Sequence, residues 1–429
     1  MGNTATFVII YYALLLGVSC WAAYANKRQV FQLAFSLTLV SFVLGIVGGV
    51  AALKAVAIFA GLLLAAGMVS YAFREFLITL ASDDLAKELR TAPLTAAFGM
   101  FVIFTYAVAA IFAPYIAPFG EAEVLSSAFA PPDENLLLGA DQLGRDMFSR
   151  LVYGARNTIS LALVGTILAF SLGALAGLLA ATRGGWFDQA MGRTADVIMS
   201  IPSLIFGLLM VSIFGSLPTN PDWLSLFSSI TAADQWLAVA MMSFFGVLVG
   251  LLVLAAVAEG AAGWAIGLAI MAGVVFVVSY GMSFLFNASE VILILVVSVI
   301  YSPRVFRLAR AVAGNVVVMD YIEAARLRGE RTWYLIRKEI LPNSVAPLIA
   351  EFGLEFCFVF LLIAGLSFLG LGIQPPTADW GSMVRENATL ISFGELTPLI
   401  PAAAIALLTV AVNFVVDWML FRSSGLKEQ

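Results

Sequence analysis

The stretch Asp320-Tyr-Ile-Glu-Ala-Ala-Arg-Leu-Arg-Gly329 lies between two apolar runs, 290–306 and 346–370, each long enough to cross a membrane. About 20 mostly apolar residues suffice to span roughly 30 Å of hydrocarbon. The same ruler, moved outward from this stretch, finds further spans at 5–25, 30–52, 55–73, 96–117, 158–182, 197–215, 236–258, 264–286 and 398–420. Eleven crossings are therefore expected. The second and third are divided only by Lys54, and the ninth is interrupted by Ser302-Pro303. No strand-like alternation competes, and the apolar runs are too long for a porin-type barrel. The expected fold class is an all-α polytopic membrane protein.

Composition demands the same reading. Of 429 residues, 11% are charged and 62% hydrophobic, with a mean hydropathy of +1.01. Ordinary globular chains carry roughly 25% charged residues. Too few charges remain to cover a water-exposed surface. Histidine is absent, which excludes histidine catalysis, histidine metal ligation and histidine pH switching. Cys20 and Cys357 stand in separate apolar stretches and read as buried small residues, not as a thiolate site or a disulfide. A dispersed net charge of −5 does not suit nucleic acid. No phosphate-binding Gly-x-x-x-x-Gly-Lys-Ser/Thr loop occurs. The apolar run from Phe7 lacks a basic leader, so no cleaved signal is expected.

Lysine and arginine set the orientation. With the C-terminus in the cytoplasm and Met1 outside, inside segments hold 17 basic residues and outside segments hold 5, which accounts for all 22. The five are Lys54, Arg145, Arg150, Arg156 and Arg385. Two loops stand apart. One is the outside segment Ala117 to Asn157, with Pro131-Pro132 and the polar run Gly139 to Asp146; the other is the inside segment Arg304 to Pro347. The second is the only substantial cytoplasmic body, and hence the expected docking surface for a cytoplasmic partner.

Within that loop, Asp320 as N-cap and Glu323 three residues on form a capping-box-like pair at the positive end of a helix dipole. Ala324 and Ala325 favour helix, and their small side chains let another protein approach the backbone. Gly329 suits the C′ position, where φ turns positive. A second amphipathic helix carries Trp333, Ile336 and Ile340 near one face and ends at Pro342. Residues alone leave two readings open: an ordinary interfacial helix, or a docking elbow.

The run Asp320 to Gly329, followed by Ile340-Leu-Pro-Asn343, resembles the EAA signature of ABC importer permeases. Four further stretches are similar to the dipeptide/oligopeptide/nickel permease family, and to its C-type subunit in particular. They are Leu138 to Asp146, Ser149 to Arg156, Ile201-Pro-Ser203, and Leu366 to Pro376 with Trp380-Gly-Ser382. The likeness covers about 95–215 and 290–423. It implies a six-helix type I ABC importer permease core, with about five additional transmembrane helices in this chain. Residues 1–90 hold extra N-terminal helices, 91–215 the first half of the core, 216–289 an inserted hairpin, and 290–423 the second half with coupling loop 304–347. The additions read as lipid-facing helices or as a docking site for an accessory subunit. Glycines 246, 250, 260, 263, 267 and 273 favour close packing in the inserted pair.

The resemblance further implies that Glu323, Ala324, Ala325 and Gly329 form an ATPase-coupling elbow, closed by Ile340, Leu341 and Pro342. Glu323 either caps its own helix or pairs with a basic residue of the ATPase. Arg326, Arg328 and Arg331 either snorkel to lipid phosphates or steer toward an acidic groove. Asp379 and Trp380, with Asp141, Arg145 and Asp146, are candidates for docking an extracytoplasmic substrate-binding protein. The chain binds no cofactor itself; ATP and Mg belong to two ATPase partner subunits. A second permease subunit, a paralogue, and membrane lipid complete the partners, without nucleic acid. The implied home is the bacterial or archaeal plasma membrane.

Glu351 and Glu355, four apart on one helix face, are candidates for the substrate path or for pairing with a basic residue of the loop. No catalytic constellation is visible, so the chain reads as a non-enzymatic subunit carrying peptides or related small solutes. Nickel chelates, opines or oligosaccharides remain within the family's range. An ion-coupled secondary transporter would need midplane ionisable residues and inverted repeats; few such acids exist, and no internal inverted repeat is evident.

Overall fold

The computed structural model describes residues 51–215 and 288–423, except 394 and 396, together with scattered positions between 14 and 41. The spans expected at 236–258 and 264–286, and most of those at 5–25 and 30–52, lie outside the described residues. The chain divides into two compact units, Met1–Leu94 and Thr95–Gln429. Among the described residues everything regular is helical, apart from two isolated bridges, Val124 with Arg145 and Ala140 with Asp146. The expected all-α polytopic membrane fold is what forms.

In the first unit, α1 (Ala51–Leu80) is followed by the short amphipathic α2 (Asp83–Arg90). Arg74 of α1 donates to the carbonyl of Ala92, just past the end of α2, at 3.1 Å.

The second unit is a helical bundle. Its members are α3 (Leu94–Ile111), the short α4 (Ala113–Ile116), α5 (Met147–Arg183), α6 (Gly185–Met199), α7 (Ser203–Gly215) and α8 (Ala288–Val317). Then follow α9 (Asp320–Leu327), α10 (Thr332–Phe368), α11 (Trp380–Asn387) and α12 (Leu399–Ser423). Six described helices are long and apolar enough to cross a membrane: α1, α3, α5, α8, α10 and α12. The bent pair α6–α7 is a seventh candidate.

Small residues set the axis of the bundle. Gly165, Gly173 and Gly177 of α5 lie against Val297, Val305 and Ala309 of α8, so these two helices run parallel and very close. Without a hydrophobic drive between helices in lipid, such backbone approach supplies the packing energy. Tyr301 of α8 donates to the Phe358 carbonyl of α10 at 3.1 Å, while Arg304 meets Glu355. Rising numbers on α8 against falling ones on α10 make that pair antiparallel. Asn413 and Thr409 of α12 face Cys357, while Val416 lies against Gly353, so α12 is antiparallel to α10 as well. Cys357 is buried and free, as its apolar setting suggests. One end of the bundle therefore gathers the segment before α5 with that after α10, and the other carries the elbow.

Several boundaries depart from expectation for physical reasons. Helix α5 begins at Met147, eleven residues ahead of the expected 158, because the Asp146 side chain caps it from Phe148 N–H and Ser149 N–H. The span expected at 197–215 is two helices meeting at 89°, broken at Ser200-Ile201-Pro202. Helix α8 runs through Pro303 instead of being interrupted there, and the coupling segment opens only after Val317. The Val299 carbonyl, which Pro303 has no N–H to serve, receives the Ser302 hydroxyl at 3.5 Å. Pro342 likewise does not end a helix. A π turn at Leu335–Ile340, in which Leu341 N–H reaches the Ile336 carbonyl, widens the coil ahead of the proline and lets α10 continue to Phe368.

Candidate functional site

Residues 318–342 form an elbow at one end of the bundle. The expected capping box does not form: Met319 is the N-cap, so Asp320 is the first helical residue, and no side chain caps the helix. Asp320 and Glu323 both remain in the first turn, where the dipole favours them. The far end closes as expected. Gly329 takes φ +82°, its N–H reaches the Arg326 carbonyl at 2.9 Å, and Glu330 N–H reaches the Ala325 carbonyl at 3.2 Å. These paired bonds are a Schellman closure, which needs a left-handed residue at the glycine position.

The elbow has an inner and an outer face. Ile322, Ala325, Leu335, Ile336 and Ile340 are buried against Leu178, Leu179, Ala313 and Val316. Ala325 and Ile340 are both fully buried, so neither presents itself to another protein; they seat the elbow on the bundle. Arg326 donates to the Thr182 carbonyl at 3.3 Å, and Asn343 donates to the Tyr321 hydroxyl at 3.3 Å. Facing away are Glu323, Ala324, Arg328, Gly329, Leu341 and Pro342, with Leu327 83% and Val318 78% exposed. Exposed aliphatic side chains ringed by charges suit a protein partner better than water.

At the opposite end, the polar signatures fold into a buried lock. Arg145 Nε lies 2.7 Å from Asp141 Oδ2, and Arg150 Nε lies 3.2 Å from the same oxygen. Both guanidinium groups also reach Glu386 Oε2, at 3.0 and 3.2 Å. Two cations and two carboxylates balance, which is what allows four charges to be buried together. Asp379 caps α11 by accepting from Ser382 N–H at 2.8 Å and takes the Thr158 hydroxyl at 2.9 Å. Its complete burial pushes the carboxyl up, against the pull of these hydrogen bonds. Trp380 donates its indole N–H to the Leu151 carbonyl at 2.9 Å and lies over Gly154, where a Cβ would come within 2.7 Å of the ring.

This arrangement corrects one expectation. Asp141, Arg145, Asp146, Asp379 and Trp380 are each at most 2% exposed, so they cannot offer side chains to a docking protein. Polar residues in a loop read as surface, but here their charges pair with one another. Glu386 and Thr158 are the members that sequence reasoning missed. No signal in the sequence pointed to them, because acids of the same loop, Glu121, Asp133 and Asp146 among them, already outnumber its arginines.

Glu355 is fully buried, and neither of its oxygens has a hydrogen-bond partner among the described residues. Arg304 Nε approaches Oε1 at 3.6 Å, and the guanidinium rests 4.3 Å over the Phe358 ring. Glu351, one turn earlier on α10, is half-buried. Among the described residues no cluster of metal-ligating side chains occurs.

The family model of the "binding-protein-dependent transport system inner membrane component" matches residues 173–423. The di/tripeptide transport system permease protein DppC of Pseudomonas aeruginosa is 28% identical over 326 residues, covering 74% of this chain and 84% of that protein. The probable D,D-dipeptide transport system permease protein DdpC of Escherichia coli is 27% identical, over 78% of this chain and 88% of that protein. The glutathione transport system permease protein GsiD of Pectobacterium atrosepticum is 26% identical, over 75% and 83%. With more than half of its length matched, this chain belongs to the binding-protein-dependent transport system inner membrane component family, as a permease subunit of an ABC importer.

Proposed function

We propose that this permease forms half of a translocation path for short peptides or related small solutes and couples to two ATPase subunits through the elbow. The observation that carries this reading is the two-faced elbow: Ile322 and Ala325 anchor it inward, while Glu323, Leu327 and Arg328 face away. A rigidly seated element with an open apolar and charged face is what transmission of a push between two proteins requires. Two relatives bear the words dipeptide or di/tripeptide in their names and a third bears glutathione, which supports the substrate class.

The excess of basic residues on the elbow side supports a cytoplasmic elbow with Met1 outside. ATP and Mg are bound by the ATPase partners; a second permease, a paralogue, completes the path. The substrate-binding protein docks at the opposite end, on the exposed surface of the segments that the buried lock holds together. Residues 1–90 and 216–289 are additions to this core.

Reconstitution tests the reading. The chain, co-expressed with a paralogous permease, two ATPases and a binding protein, should give ATP-dependent dipeptide uptake into proteoliposomes. Uptake that persists without ATPase subunits, driven by an ion gradient, would overturn it.

A further inference from the structure

Arg304 is an arginine that does not snorkel. It lies inside the span Ser289–Val317, on the elbow side of Tyr301. A lipid-facing arginine there would reach along α8 toward the nearer headgroups, at the elbow end. Its guanidinium instead turns back into the bundle, 4.3 Å over Phe358 and 5.8 Å from the Tyr301 ring. Both aromatic residues lie on the side away from the elbow, because α8 descends toward it while α10 ascends from it. Helical side chains lean toward their own N-terminus, so the backbone favours this direction.

The acid beneath it holds it there without using it up. Glu355 is sealed from solvent, and at 3.6 Å its oxygen lies beyond hydrogen-bond reach of Arg304 Nε. The Arg304 side chain is 42% exposed, and no hydrogen bond commits its planar fork of donors among the described residues. Such a fork matches a carboxylate in two-pronged fashion. An ionisable pair within a span faces protein or water and marks a functional position by default.

Resting on the peptide-importer reading, we propose that Arg304, seated on Phe358 and backed by Glu355, is an anion anchor in the translocation path that takes the carboxylate of a passing short peptide. Glu355 serves as a positioning residue that keeps the guanidinium turned toward the path. A long, unsaturated ion pair suits this task, because the solute must be released as readily as it is held.

Two measurements on the whole reconstituted complex test the assignment. First, Arg304→Cys is made in a background carrying Cys20→Ser and Cys357→Ala. The thiol should react with the membrane-impermeant, negatively charged methanethiosulfonate ethylsulfonate. Reaction only with a lipid-soluble maleimide, or with neither reagent, overturns the proposal. Second, uptake of alanyl-alanine is compared with uptake of alanyl-alaninamide, which lacks the carboxylate. The binding protein is unchanged, so any shift in the ratio between variants belongs to the permease. Arg304→Gln should lower the acid-to-amide ratio about tenfold, and Arg304→Lys should recover part of it. An unchanged ratio overturns the anchor while the importer reading stands. If the unsubstituted complex takes up neither probe, the peptide reading fails, and thiol accessibility alone decides whether Arg304 faces water.

Discussion

Arg150 and Glu386 stand 236 positions apart in the chain and 3.2 Å apart in the fold, with Arg145 sharing the same carboxylate oxygen. These buried contacts tie the first turn of α5, through Arg150, and the segment ahead of it, through Arg145, to α11. Glu386→Gln leaves two guanidinium groups facing one carboxylate, and losing one partner of a buried pair costs about 3–5 kcal/mol. The variant should lose most of its folded yield in detergent, with a large drop in thermal midpoint. A midpoint within a degree of the unsubstituted chain would show that the pairs contribute nothing.

Gly154 under Trp380 predicts a smaller effect of a different kind. An added methyl would come within 2.7 Å of Trp380 Cδ1, so the ring must shift. Gly154→Ala should destabilise by about 1–3 kcal/mol through overpacking. Thermal unfolding of the purified chain measures this. Gly192→Ala, whose methyl meets nothing within 4 Å among the described residues, serves as the control.

Asp379 gives a pH dependence whose sign is fixed. Its carboxyl is raised by burial, so the folded chain holds this proton more tightly than the unfolded one. The contribution is fully present below the ordinary carboxylate range and is lost as pH rises through the raised folded value. Asp379→Asn keeps a capping oxygen and should flatten that part of the stability profile. An equal slope in both proteins would contradict the assignment.

The membrane fold and the elbow were legible in the sequence because both rest on local signals: apolar run length, and a glycine placed after an alanine-rich turn. Gly329 takes its positive φ as the spacing implied. The lock was not legible, because it depends on which distant charges meet. Asp141 and Arg145 look like surface until Glu386 arrives from 241 positions beyond Arg145. The prolines misled for a related reason: Pro303 and Pro342 break an isolated helix, but a serine hydroxyl and a π turn answer for them here.

Gly329 also permits a test of the elbow's shape. Among the described residues nothing lies within 4 Å of a methyl added there, so substitution acts through the backbone alone. Gly329→Val should strain the turn by about 1–3 kcal/mol and lower coupled ATP turnover several-fold at normal membrane yield. Gly329→Asn, which tolerates the left-handed region, should recover most of it. Equal turnover in all three proteins would show that the turn's geometry is not transmitted.

The outer face of the elbow, on this reading, is what holds the ATPases. Leu327→Asp tests that most directly, since Leu327 is 83% exposed and forms no part of the apolar cluster that seats the elbow. Affinity purification of the complex through a tag on this chain, followed by quantification of ATPase subunit per permease, is the measurement. Bound ATPase should fall at least tenfold, with the paralogous permease still retained. Full ATPase recovery with the Leu327→Asp chain would contradict docking on this face.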